Sequence, residues 1–323
     1  MEKKDAMMKM MMDQMGTDNP DDVVDNILSG RWVFRKQKRW MVVKKWTEFL
    51  NGATKLTRTE KCKDQETASD HGYFSGYKPE NVKSIAEQVN CLRKYFPNLH
   101  RVDEDWSEEY LPNLPMGDIE GWFVAPRWER VASTYQEAVN VVLDILKDVM
   151  GDGFRDYRSG YIFPRNTFSE YLGLTERTSK SLEKLRCLQK NPDFLVFPAQ
   201  FGLRHRGRSI ERTWAVMNEF EFGLDAFIVG AMLLTHPERL KCCKDLSIDC
   251  AGNDYYDSFY NHSSACFFTS CCHSTSRNDY WRVEYHGCYA HLLSPSSGSA
   301  SGWVIDPLEI VRRTRIKQGM LKP

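Results

Sequence analysis

The residues best equipped for chemistry lie close together in the last quarter of this sequence. Cys266, Cys271, Cys272 and His273 are followed by His286, Cys288 and His291, more soft donors than the four that tetrahedral zinc takes. Cys266, Cys271, His273 and Cys288 are the metal candidates, and zinc is the cofactor they would hold. Their spacing matches no paired-knuckle pattern. A second cluster, Arg204, His205, Arg206 and Arg208 with Arg212 close behind, offers the paired donors that suit phosphate or carboxylate. The competing explanation is an internal salt-bridge network with Glu211 and Glu219.

Other chemistries leave less trace. There is no G-x-S-x-G, P-loop, H-E-x-x-H or dinucleotide glycine fingerprint. Cys250 with His236 or His205 can be drawn as nucleophile and base, but ten cysteines and eight histidines make such pairs easy to draw. Glu108 with Glu109, and Glu219 with Glu221, are neighbours that face different ways on a helix. An enzyme of unknown class stays as an alternative only.

The elements that must position these groups can be read from periodicity. Helices are expected over 81–95, with Val82, Ile85, Val89 and Leu92 on one face; over 134–150, through Ala138, Val141, Val142, Ile145, Leu146 and Val149; and over 176–189 behind a Thr175 cap. Gly151 to Gly153 ends the second, and Asn191-Pro192 the third. Phe194 to Phe197 reads as a short strand and Glu219 to Leu234 as a buried helix. Leu246 to Cys250 reads as a buried strand, with Ala251-Gly252-Asn253 turning out of it. Arg31 to Leu50 interleaves basic and apolar residues, as either a half-buried hairpin or a surface for a phosphate backbone.

The totals narrow the class. Lys plus Arg equals Asp plus Glu at 44 each in 323 residues, so no global field favours nucleic acid or acidic membranes. No window reaches the roughly 20 apolar residues of a membrane span. Met1 to Gly16 lacks the order of a secretory signal, which implies a cytoplasmic protein with thiols or metal ligands in place of disulfides. The expected class is α+β: a leader over 1–20, a mainly helical region over 21–190, and a C-terminal domain of mixed short strands over 191–323.

Residues 253–292 have a composition of their own. Tyr, Ser, Asp, Asn, His, Cys and Phe crowd in, Lys is absent, and four of the eight histidines fall there. Of Lys, Glu, Gln, Met and Trp, about nine are expected in such a window at the chain's ordinary usage. Only Trp281 and Glu284 occur. Randomising the first two bases of an asparagine codon yields Asn, Tyr, Ser, Asp, His, Cys, Phe and their like, but never those five. The segment therefore resembles the variable region of C-type-lectin-like target proteins of diversity-generating retroelements, which mutate template adenines. The resemblance runs from about Phe220 onward and implies a C-type-lectin-like C-terminal domain with exchangeable surface residues. The chain is also similar to a set of uncharacterised bacterial proteins bearing GWFVAPRWE (Gly121 to Glu129), FPAQFGLRHRGRS (Phe197 to Ser209) and SIDCAG (Ser247 to Gly252); this likeness implies no activity.

Tyr gives large amphipathic contact at low entropic cost, and small polar residues adapt around it, as in binding loops. The residues expected to face a ligand are Asn253, Tyr255, Tyr256, Asp257, Tyr260, Asn278, Asp279, Tyr280, Tyr285, His286 and Tyr289. The expected function is binding of a protein or other surface ligand without chemistry. A zinc-stabilised nucleic-acid-binding protein, using Arg31 to Lys45 and the Arg204 to Arg212 cluster, is the alternative from another class.

Overall fold

In the computed structural model, residues 55–103, 119–156, 172–257, 262–274 and 279–304 are described, all within the unit Thr47–Ile305. The 1–20 leader, the Arg31 to Leu50 segment, Glu108, Glu109, Tyr260 and Asn278 lie outside them. None of the described helices is long and apolar enough to cross a membrane.

Local signals set the helix ends. Helix α1 (Ile85–Arg93) starts at a reciprocal capping box between Ser84 and Glu87 and buries Gln88, Val89 and Leu92. Helix α2 (Tyr135–Met150) opens on the same device, Thr134 with Glu137, and Gly151 at φ 54° ends it. Its buried stripe is Tyr135, Ala138, Val139, Val142, Leu143 and Leu146, rotated from the expected one, and Val149 is exposed. Helix α3 (Glu176–Leu188) begins behind Thr175 as expected, and a short α4 (Ile210–Val216) follows Ser209.

Helix α5 (Ala226–Thr235) is buried at every position, which accounts for its unbroken apolar run. It starts seven residues later than expected. Asp225 caps it by accepting from Phe227 N (2.9 Å) and Ile228 N (3.1 Å), and Glu221–Gly223 ahead of it is strand β5.

Two sheets surround this helix. The first has the order β1-β4-β10-β5, from Gly121–Pro126, Phe194–Gln200, Ser301–Trp303 and Glu221–Gly223, with every pair antiparallel. The second has the order β2-β8-β7-β6-β3, with β9 also on β6. Its strands are β2 (Phe154–Asp156), β3 (Gly173–Leu174), β6 (Ser247–Asp257), β7 (His262–Ser274), β8 (Asp279–Tyr289) and β9 (Ser297–Ser299). Helix α5 contacts α1, α2, β1 and β6, so one core serves both sheets.

The fold is α+β. Strands from before residue 190 pair with strands after it, β1 with β4 and β2 with β8, so no sheet respects the expected division between 190 and 191. Nor is Ala251-Gly252-Asn253 a turn: β6 runs through it, with a register shift between Cys250 and Tyr255. Glycine is required there by contact. A Cβ on Gly252 would meet Gly223 O at 2.4 Å, and one on Gly223 would meet Ala251 C at 2.4 Å, because Gly252 N donates to Leu224 O (2.8 Å) where β5 crosses β6.

Candidate functional site

The segment of biased composition forms the meander β6–β7–β8. Alternation along the strands sends Ile248, Cys250, Phe268, Val283 and Tyr285 into the core at 0% exposure. Phe268 and Tyr285 are cross-strand partners with ring centroids 4.9 Å apart. Tyr285 is thus a core residue, and its place among the ligand-facing positions is corrected: in β8 it shares a face with Val283.

The opposite face is polar. One row crosses five strands, Ser297, Ser247, Thr269, Glu284 and Arg155, by register and by the Ser247 Oγ to Thr269 Oγ1 hydrogen bond of 2.7 Å. In the next row Asp249 and His286 both pair with Phe267, from opposite sides, so they stand two strands, or about 10 Å, apart. His286 Nε2 lies 2.9 Å from Glu284 Oε2. Glu284 is nearly buried and His286 is 21% exposed at its side chain. Burial pushes Asp249 up to about 7, and its Ser297 hydrogen bond offsets only part of that. The arrangement can donate and accept hydrogen bonds along a row. Tyr289 is half-buried and stacks on His291, with centroids 5.7 Å apart at 16°.

Sequence reasoning missed Ser247, Asp249, Thr269 and Glu284. A signal did exist for Glu284, since it is one of two residues in the window that the codon pattern cannot generate.

Asn253 is also corrected. Its side chain is fully buried, accepting from Ala226 N (2.7 Å) and donating to Tyr135 OH (2.7 Å) and Gly173 O (3.0 Å). It ties β6 to the start of α5. Tyr255, Tyr256 and Asp257 lie on β6, and Asp279 and Tyr280 on β8.

The four metal candidates do not converge. Cys266 pairs with Gly287, next to Cys288, whereas Cys271 and His273 pair with Arg282 and Tyr280. Five residues of extended strand, about 17 Å, separate Cys266 from Cys271, well beyond the span of one zinc tetrahedron.

The arginine cluster turns inward. Arg204 makes a two-pronged ion pair with Glu221, at 2.8 and 3.1 Å, and His205 Nε2 donates to the same carboxylate at 2.7 Å. Ser301 Oγ donates to it as well, at 2.7 Å. Burial alone would raise Glu221, but His205 and Arg204 outweigh it and hold the carboxyl at about 2. Arg208 and Arg212 both engage Glu66, and Arg212 also donates to Thr59 O and Lys61 O. Of the four expected anion ligands only Arg206 is exposed, and it donates to His71 O (3.1 Å). The open cradle is corrected to a buried network, and the partner is Glu221 because β5 aims it inward. The nucleic-acid reading thereby loses Arg204, Arg208 and Arg212 to internal carboxylates, while its other cations, Arg31 to Lys45, lie outside the described residues.

Comparison with family models, curated proteins and solved structures finds no match.

Proposed function

We propose that this protein binds a protein or other surface ligand through the β6–β7–β8 meander and performs no chemistry there. The proposal includes a C-type-lectin-like arrangement, in which helix α5, strand β6 and a closing strand ending at the buried Trp303 hold an exchangeable hairpin. Retroelement diversification would supply the exchange.

One observation carries this reading: the β7–β8 ribbon outruns its sheet. The two strands pair without interruption from Ser264↔Tyr289 to Ser274↔Asp279. Pairing of β7 with β6 ends at Ile248↔Phe268, and pairing of β8 with β2 begins at Phe154↔Val283. The four pairs from Cys271↔Arg282 to Ser274↔Asp279 therefore have no further strand beside them among the described residues. The core is closed by Phe268, Val283 and Tyr285 at the ribbon's base, so packing fixes the base, and the far pairs are the ones proposed to serve a partner.

The test is a displayed library of the full chain, randomised over 271–274 and 279–281, with folding read by protease resistance and binding selected on immobilised lysozyme as an arbitrary probe. Most members are expected to fold, and selection is expected to enrich lysozyme binders that differ only in those positions. Collapse of folding across the library, or failure to enrich binders from folded members, would overturn the reading. A near-copy of the coding segment for 253–292 in the genome, with adenines at the substituted positions, separately tests the diversification.

A further inference from the structure

Residues 57–71 lie as a strap against α4 and the arginine-rich segment ahead of it. None of residues 55–76 is buried, and the strap is attached by polar contacts. Thr57 N donates to Val216 O (2.7 Å) and Thr57 Oγ1 to Met217 O (2.9 Å). Ser209 N donates to Gln65 O (3.2 Å), Gln65 Nε2 to Glu211 Oε2 (3.2 Å), Thr67 N to Gly207 O (2.8 Å) and Arg206 Nη1 to His71 O (3.1 Å). The chain then joins the core at Tyr73 and Tyr77. A segment with few buried apolar contacts and exposed hydrogen bonds opens at lower cost than the core it lies on.

The charged contact of the strap is Glu66. Its Oε1 accepts from Arg212 Nε, and Arg208 Nε lies 3.3 Å from the same oxygen. One carboxylate oxygen therefore serves two guanidiniums. Among the described residues the buried Arg208 Nε makes no hydrogen bond, so Glu66 leaves this pair of cations incompletely satisfied. Both arginines belong to the body: Arg208 Nη1 donates to Arg204 O (2.8 Å), and Arg212 is part of α4. When the strap lifts, Glu66 leaves with it and the guanidiniums stay behind.

We propose that the strap is an autoinhibitory cover: Glu66 fills an oxyanion site made by Arg208 and Arg212, and a small phosphate-bearing solute that takes its place opens residues 57–71 as a unit. A carboxylate seated between two guanidiniums shows which ligand chemistry the pair accepts. A phosphate carries more charge and offers each guanidinium an oxygen of its own, which meets the donors that Glu66 makes share. Closure and phosphate binding use the same two groups, so the solute binds only the open state and draws the population towards it. This site does not depend on the binding surface proposed above.

The experiment follows backbone hydrogen exchange of the full chain in sodium pyrophosphate and in sodium chloride of matched ionic strength. Pyrophosphate is expected to speed exchange at Thr57, Thr67 and Ser209 together by about tenfold over chloride, while α5 stays protected. In calorimetric titration E66Q is expected to bind pyrophosphate about tenfold more tightly than the parent chain, because no charged competitor has to leave. E60Q removes a charge from the same strap, where Glu60 pairs with Lys63, and should bind as the parent does; R208Q should lose binding. The proposal is overturned if the two salts act alike, if E66Q binds no more tightly than E60Q, if R208Q binds as the parent does, or if α5 loses protection along with the strap.

Discussion

Tyr285 and Tyr289 are the same residue type, four apart on one strand, and their positions separate architecture from surface. Tyr285 has no exposed area and packs on Phe268, while Tyr289 is half-buried beside His291. Truncating a buried aromatic removes its transfer energy and leaves a cavity, so Tyr285→Ala should cost about 3–5 kcal/mol. Tyr289→Ala should cost less than about 1 kcal/mol, because little of its surface is withdrawn from water by the core. Urea denaturation of the two variants checks this directly. Comparable losses would mean that this face of the strand, which the two tyrosines share, is bound to the core along its whole length. Buried polar residues follow the same logic: Asn253 and Glu221 each satisfy three groups from other elements, so their chemistry serves the fold.

Among the elements, the sharpest constraint is the crossing of β5 and β6 at Gly223 and Gly252. A side chain on Gly252 would press on the backbone of Gly223, which has no flexible end to yield. Gly252→Ala is therefore expected to destabilise by about 3 kcal/mol or more. Gly76→Ala, where nothing lies within 4 Å, serves as the control and should be nearly neutral. Equal melting temperatures for the two variants would show that the strands part easily at the crossing. This crossing also shows what the sequence could reveal. The starts of α2 and α3 were readable because Thr134 and Thr175 act on backbone groups three residues away. The start of α5 was not, since β5 exists only through its pairing with β10, some eighty residues on. Gly252 has the signature of a turn, and only a partner distant in sequence makes it a contact glycine. The polar row of the meander was hidden for a related reason: Thr269 and Glu284 become neighbours only once the register of β7 on β8 is known. The odd composition of 253–292 located the segment without saying which residues in it face inward.

For the molecule as a whole, the buried ionisable groups set the pH at which the fold is most stable. Burial raises Asp249 to about 7 and Asp225 to about 6. Native carboxyls that hold protons the unfolded chain has released make stability highest below the ordinary carboxylate value, and that stability is lost as pH rises through the raised values. His236 acts in the opposite sense. Thr235 Oγ1 donates to Met232 O, so His236 Nδ1 must donate to Thr235, while Nε2 accepts from Lys83 N. Burial, helped by the Lys83 charge, lowers the ring to about 4. A neutral native imidazole facing an unfolded one that protonates near its model value of 6.5 costs stability as pH falls from 6.5 towards 4. Glu221, held at about 2, loses its contribution only in stronger acid. Between the His236 and Asp249 values the two raised aspartates outnumber the one histidine, so these groups together place the optimum on the acid side of neutrality. The decisive variant is Asp249→Asn, which keeps the shape and removes the titration. Its advantage over the parent chain should be small at about pH 4 and grow to the order of 4 kcal/mol at about pH 8. Urea unfolding at the two pH values measures it. A gain that is the same at both would mean that Asp249 ionises in the folded protein as readily as in the unfolded chain, and that the polar face of the meander is wetter than its burial implies.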